Sequence, residues 1–180
     1  ILHLPRLRKL AVFDVGAAKV VDYIPVADDN VKFAAGLDKL MVVLPDKNVI
    51  QRWDLATRKR ELSAPLPNRD KVYHIAMGSA SRGPLLLAAA EGIRHGELVF
   101  VDVRTLKALP LEEVGRGVVH ADGASRWRAS ADGKVFAGFK TDLSLQGVQV
   151  MVLEGKRVKI HTAWTSLGHV TPGPDGKVIC

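Results

Sequence analysis

Apolar positions along this chain come in short runs with a period close to two, and polar or glycine-bearing turns separate them. Lys9–Val15 and Lys19–Val26 predict two strands around Gly16-Ala17-Ala18, and Asp28-Asp29-Asn30 turns the chain after them. Val31–Ala35 and Leu40–Leu44 predict a hairpin around Gly36-Leu37-Asp38-Lys39. Pro45-Asp46-Lys47-Asn48 then leads into a strand that ends in Trp53-Asp54, and Arg60–Ala64 runs out to a break at Pro65-Leu66-Pro67-Asn68. A second cycle holds Val72–Met77, the turn Gly78–Gly83, the apolar run Leu85–Ala90, a connection at Glu91–Gly96, Glu97–Val103 and Leu106–Leu111. A third holds Trp127–Ser130, the turn Ala131–Lys134, Val135–Phe139, a longer loop Lys140–Gln146, Gly147–Leu153, the turn Glu154-Gly155-Lys156 and Arg157–Thr162. A fourth opens at Gly168–Thr171, turns at Pro172–Lys177 and ends in Val178–Cys180. No strong helical stretch appears, so the pattern predicts an all-β chain.

The cycles have a measurable step. Asp14, Asp54 and Asp102 each end a strand and lie 40 and 48 residues apart, and the Asp-Gly-Lys turns at Asp132 and Asp175 lie 43 apart. Four short strands in a period of about 40–45 residues describe the blades of a β-propeller. Trp53-Asp54-Leu55-Ala56-Thr57 resembles the end of the third strand of a WD-repeat blade, with Phe13-Asp14-Val15 and Val101-Asp102-Val103 as looser copies. Ser130–Lys134 and Gly173–Lys177 resemble the turn between the first two strands in WD-like, TolB-like and YVTN-type propellers, and Gly168-His169 resembles the Gly-His pair of a WD repeat. In such a motif the Trp packs between blades and the Asp caps a turn through backbone N–H groups. Asp132 and Asp175, each followed by glycine, are turn formers first. The expectation is a β-propeller segment of about three full four-stranded blades plus two half blades. The half blades are 1–30 and 168–180, and the full blades are 31–66, 72–111 and 127–162. The first half blade is expected to hold only outer strands and the last only inner ones. Either the segment belongs to a larger ring, or the half blades pair and close a four-bladed one.

Composition narrows the class. The chain has 180 residues, 47% of them hydrophobic and 25% charged, with 16 Gly and 9 Pro, which suits many short elements around a real core. The net charge of +7 is spread evenly over both parts of the chain. Its densest run is Arg58-Lys59-Arg60, near Arg52, Arg69 and Lys71. That run reads as a solvated turn or as a contact for an acidic partner. A nucleic-acid interface would show a basic stripe or cluster. The single cysteine, Cys180, allows no internal disulfide and suits a reducing compartment. The apolar runs are too short to span a membrane. The start at Ile1 carries neither an initiator Met nor a signal-peptide pattern, so the chain reads as trimmed from something longer.

Candidate chemistry is sparse. The six histidines, His3, His74, His95, His120, His161 and His169, show no metal-ligand spacing, and His120 with Asp122 lies in a loop. Gly78–Gly83 is neither a nucleophile elbow nor a phosphate loop, and Gly115-Arg116-Gly117 lacks the rest of a dinucleotide fingerprint. Glu112 and Glu113 adjoin in a loop and make no acid–base pair. No catalytic, metal or cofactor site is expected. The reading is a non-catalytic protein-interaction scaffold. Arg58, Lys59 and Arg60, or Arg126 and Arg128, are its contact candidates, and Trp127 between these arginines reads first as inter-blade packing. The resemblance also implies an alternative, the propeller portion of a larger hydrolase or peptidase, lactonase or quinoprotein whose catalytic residues lie outside this segment. A third, nucleic-acid binding, would show affinity that falls steeply with salt.

Overall fold

The computed structural model describes residues 1–68, 71–91, 94–114, 126–141, 146–164, 171–173, 175 and 177–179. Strands β1 (Leu2–Leu4), β2 (Lys9–Asp14) and β3 (Lys19–Pro25) form an antiparallel sheet. A four-stranded meander follows, with β4 (Lys32–Ala35), β5 (Lys39–Leu44), β6 (Val49–Asp54) and β7 (Arg60–Pro65) in chain order. The third sheet holds β8 (Val72–Ala76), β9 (Leu85–Glu91) and β10 (Arg94–Val101). β11 (Glu112–Val114) joins the fourth sheet, which contains β12 (Trp127–Ala129), β13 (Val135–Thr141), β14 (Gln146–Glu154) and β15 (Arg157–Trp164). β16 (Thr171–Pro172) and β17 (Val178–Ile179) pair as a hairpin. The chain is all-β, and its antiparallel sheets resemble propeller blades.

The core lies between successive sheets. Leu10 and Ile24 of the first sheet pack on Leu40, Val42 and Leu44 of the second. The next residues along β5, Met41 and Val43, point the other way and pack on Ile75, Leu85, Leu87 and Val101 of the third. Leu86, Ala88 and Phe100 continue from the opposite face of that sheet onto Trp127, Phe136, Met151 and Ile160 of the fourth. Phe100 meets Phe136 edge to face at 5.1 Å. This explains the unbroken apolar runs in β5 and β9, because a strand with a sheet on each side buries both of its faces. Each such side chain contributes roughly 1.5–3 kcal/mol of burial.

The first two sheets repeat at a step of 40 residues. Pro5–Leu7 and Pro45–Lys47 each form a 3-10 turn closed by a left-handed residue, Arg8 at φ 48° and Asn48 at φ 54°. Val26 N–H donates to Arg8 O, and Leu66 N–H to Asn48 O, both at 3.0 Å.

Several strand boundaries differ from the sequence reading. The first unit has an additional strand, because Leu2–Leu4 pairs with Ala11–Lys9; it corresponds to the end of the second strand rather than to a lead-in to the third. Leu106–Leu111 does not complete a fourth strand in the third sheet. Its ladder stops at a single bridge, Val101 with Ala108, and the bond from Leu109 N–H to Phe100 O. Pro110 has no N–H to extend it. Glu112 and Glu113 are strand residues, in register with Arg157 and Val158 in a parallel pair, not loop residues. The connections expected at Glu91–Gly96 and Lys140–Gln146 are shorter, since strands run to Glu91 and from Arg94, and to Thr141 and from Gln146. Gly115–Gly117, His120, Asp122, Arg69, Gly168, His169 and Cys180 lie outside the described residues.

Candidate functional site

The sheets present two ends, and the functional candidates divide between them. The turns that follow β4, β8 and β12 interlock: Leu37 N–H donates to Ser81 O, and Ala80 N–H to Ala131 O, each at 2.8 Å. The β6–β7 turn lies at this same end, since Leu55 N–H reaches Asp38 O at 3.1 Å. The starts of β4, β8 and β12 therefore sit together at the opposite end.

At the turn end, the repeated aspartates are bound to their own backbone. Ala17 N–H donates to Asp14 Oδ1 at 2.9 Å, Thr57 N–H to Asp54 Oδ1 at 2.7 Å and Arg104 N–H to Asp102 Oδ1 at 2.7 Å. Four residues after each aspartate stands a left-handed residue, Ala18, Arg58 or Leu106, with φ between 50° and 59°. Asp54 does more than its two counterparts. Its Oδ2 accepts from Lys39 Nζ at 2.8 Å, and the same ammonium reaches Glu61 Oε1 at 2.8 Å. Lys39, with help from the Thr57 N–H and hydroxyl, holds the Asp54 carboxyl well below the usual range. The Lys39 pKa is raised in turn, by Asp54 first and Glu61 second. Arg52 completes the network, donating to Glu61 Oε2 at 2.8 Å and to the carbonyls of Val103 and Arg104 at 3.0 and 2.7 Å. Asp54 is thus linked through Lys39 and Glu61 to Arg52, which reaches the turn that follows β10 of the third sheet. Trp53 is half-buried against the core of the first two sheets, and its indole N–H donates to Gln51 Oε1 at 3.1 Å.

The Asp-Gly-Lys turns share one geometry. Lys134 N–H donates to Asp132 Oδ1 at 3.1 Å, and Lys177 N–H to Asp175 Oδ1 at 3.2 Å. Ser130 Oγ donates to Asp132 Oδ1 at 2.6 Å and, with the Lys134 N–H, lowers that carboxyl's pKa. Gly133 has φ +72°, and a Cβ there would lie 2.5 Å from Ser81 Oγ, so the turn fits against the Gly78–Gly83 loop. Ser81 Oγ is itself held between the carbonyl and the N–H of Gly83 at 2.6 and 2.9 Å. Its hydroxyl serves the loop.

The basic run is only partly available. Arg58 pairs with Asp22 of the first sheet at 3.0 Å. Lys59 and Arg60 are exposed and have no ion pair among the described residues. Arg126 and Arg128 lie at the other end and are also exposed, whereas Trp127 between them is 2% exposed and packs in the core with Phe136.

That second end holds residues the sequence reading missed. Trp127 N–H donates to His74 Nδ1 at 3.3 Å, which ties the start of β12 to β8. Burial pushes the His74 pKa down, and Arg128, Arg126 and Lys32 add to the effect. With Nδ1 accepting, the neutral ring carries its proton on Nε2. Asp46, at this same end, is engaged by Asn30 at 2.9 Å and Lys71 at 3.1 Å, which lower its pKa. The available signal was positional: Lys32, His74 and Arg128 each stand in the first strand of a cycle. Among the described residues no three His, Cys, Asp or Glu side chains gather in metal-binding geometry.

No protein-family model matches the chain, and no curated protein matches it in sequence. Its structure does resemble solved structures. Hydrazine synthase from Kuenenia stuttgartiensis is 15% identical with a TM-score of 0.64, over 95% of this chain and 48% of that one. The Dos1 propeller is 15% identical with a TM-score of 0.64, over 94% and 46%. A chain in the complex of KlAtg21 with the coiled-coil of AgAtg16 is 12% identical with a TM-score of 0.62, over 94% and 54%. The chain spans about half the length of each match. At these identities the likeness is to the propeller-type fold and singles out no family within it.

Proposed function

We propose that this chain is a portion of a β-propeller and acts as a non-catalytic scaffold for a protein partner. In this reading residues 31–66, 72–111 and 127–162 are blades, 1–30 and 168–180 are partial blades, and Trp53-Asp54 is a WD-type strand end. The 40-residue step between the first two sheets supports the blade reading. One observation carries the scaffold reading. The aspartates of the repeated turns are tied to their own backbone, while cations at both ends of the sheets, Lys59 and Arg60 at one and Arg126 and Arg128 at the other, carry no ion pair among the described residues. A rigid sheet end can display such groups without reordering on binding. A likeness to a chain solved with a coiled-coil partner agrees with it.

A second reading rests on the likeness to hydrazine synthase. There the chain is part of a larger enzyme whose catalytic residues lie elsewhere. Affinity capture with cross-linking separates the two. The scaffold reading expects a stoichiometric protein partner cross-linked to residues at a sheet end. A full-length protein that turns over a substrate and captures no partner would favour the enzyme.

A further inference from the structure

The starts of β4, β8 and β12 carry cations that form no ion pair among the described residues. Arg126 and Arg128 are exposed on either side of the buried Trp127, and β12 is held to β8 by the Trp127 N–H bond to His74. Lys32 opens β4, the neighbouring inner strand. β4 and β12 both pack against β8, and Arg126, Arg128 and Lys32 all act electrostatically on His74 of that strand. Of the described carboxylates nearby, Asp46 is held by Asn30 and Lys71 and also feels Lys32, Asp28 accepts from the N–H groups of Asp29 and Asn30, and Asp29 is exposed to solvent. Like charges brought together in this way repel, and an anion seated among them removes the repulsion.

We propose that this mouth binds an acidic, extended segment of the protein partner, with its carboxylates held by Arg126, Arg128 and Lys32 and by the Nε2–H of His74. The proposal rests on the scaffold reading and assigns its contact surface. Two arginine forks favour carboxylates through paired, charge-assisted hydrogen bonds. The cluster is confined to the starts of three strands, whereas a nucleic-acid backbone needs a basic track along its length. Arg58-Lys59-Arg60 lies at the opposite end, which supplies an internal control.

The probe is a fluorescently labelled oligoglutamate peptide, titrated by anisotropy against the full chain. The variants are the double substitution Arg126→Gln with Arg128→Gln, the single Lys32→Gln, and the control pair Lys59→Gln with Arg60→Gln. Losing two charge-assisted contacts is expected to weaken binding by about tenfold or more. Lys32→Gln should weaken it less, and the control pair should leave it within about twofold. Equal losses from both double variants, or no saturable binding, would overturn the proposal. So would a single-stranded oligonucleotide of equal charge that binds more tightly than the peptide. A protein partner still captured in full by the Arg126→Gln, Arg128→Gln variant would also overturn it, while leaving the scaffold reading standing.

Discussion

Trp127 can be buried because Gly138, its partner across β12 and β13, has no side chain. A Cβ at Gly138 would stand 2.5 Å from Cδ2 and 2.6 Å from Cε2 of the indole. Gly138→Ala is therefore expected to destabilise the fold by about 1–3 kcal/mol, the range for overpacking a filled core. Chemical denaturation measures the loss, and near-ultraviolet dichroism reports whether the ring moved. A change below about 0.5 kcal/mol would show that the indole can shift freely. His74 makes a second residue-scale prediction. Its folded pKa is depressed by burial first and by Arg128, Arg126 and Lys32 next, so protonation favours the unfolded chain. Its contribution is present above the ordinary value near 6.5 and is lost as pH falls through the folded value. The thermal midpoint should fall between about pH 7 and about pH 5, and His74→Gln should flatten that fall. Identical pH profiles for both proteins would exclude His74 as the source.

Among the elements, the best-defined unit is the turn after Asp14, Asp54 and Asp102. The aspartates were legible in the sequence because Asp is a regular turn former. The left-handed residue four positions later was not, because Ala18, Arg58 and Leu106 carry none of the usual marks of that conformation. Ala18 is exposed and has φ 50°, so Ala18→Gly should relieve its strain and stabilise the fold by about 0.5–1 kcal/mol. A loss of stability in a denaturant titration would mean that the turn conformation is not strained. Leu4-Pro5 and Leu44-Pro45 show the opposite case. Their 40-residue step was present in the sequence, and it marks the strand at Leu2–Leu4 that the periodicity was too short to reveal. The parallel pairing of β11 with β15 had no local signal, since its partners lie more than forty residues apart and no turn links them. The cation cluster was half legible for a related reason. Arg126 and Arg128 stand out as neighbours, but Lys32 and His74 come near them only because β4 and β12 both pack against β8.

At the scale of the whole molecule, each internal sheet buries both of its faces, and the first sheet does not. Its inner face, with Leu10, Ile24 and Val12, packs on the second sheet. Its outer face carries Leu2, Tyr23, Phe13 and Val20, with exposures of 48%, 47%, 38% and 38%. The register places Leu2, Ala11 and Tyr23 in one row and Phe13 with Val20 in another on that same face. Lys9 Nζ stands 5.1 Å from the Tyr23 ring and covers only part of it. A contiguous apolar sheet face of this kind drives association until something covers it. When this chain is prepared by itself, its scattering mass should therefore rise with concentration. Val20→Lys with Tyr23→Lys should suppress that rise and leave the unfolding midpoint nearly unchanged, because both side chains are already half in water. A mass that stays monomeric for both proteins at every concentration would show that the face is tolerated in water. A rise that survives the double substitution would place the sticky surface elsewhere, with the open strand edges of the sheets as the next place to substitute.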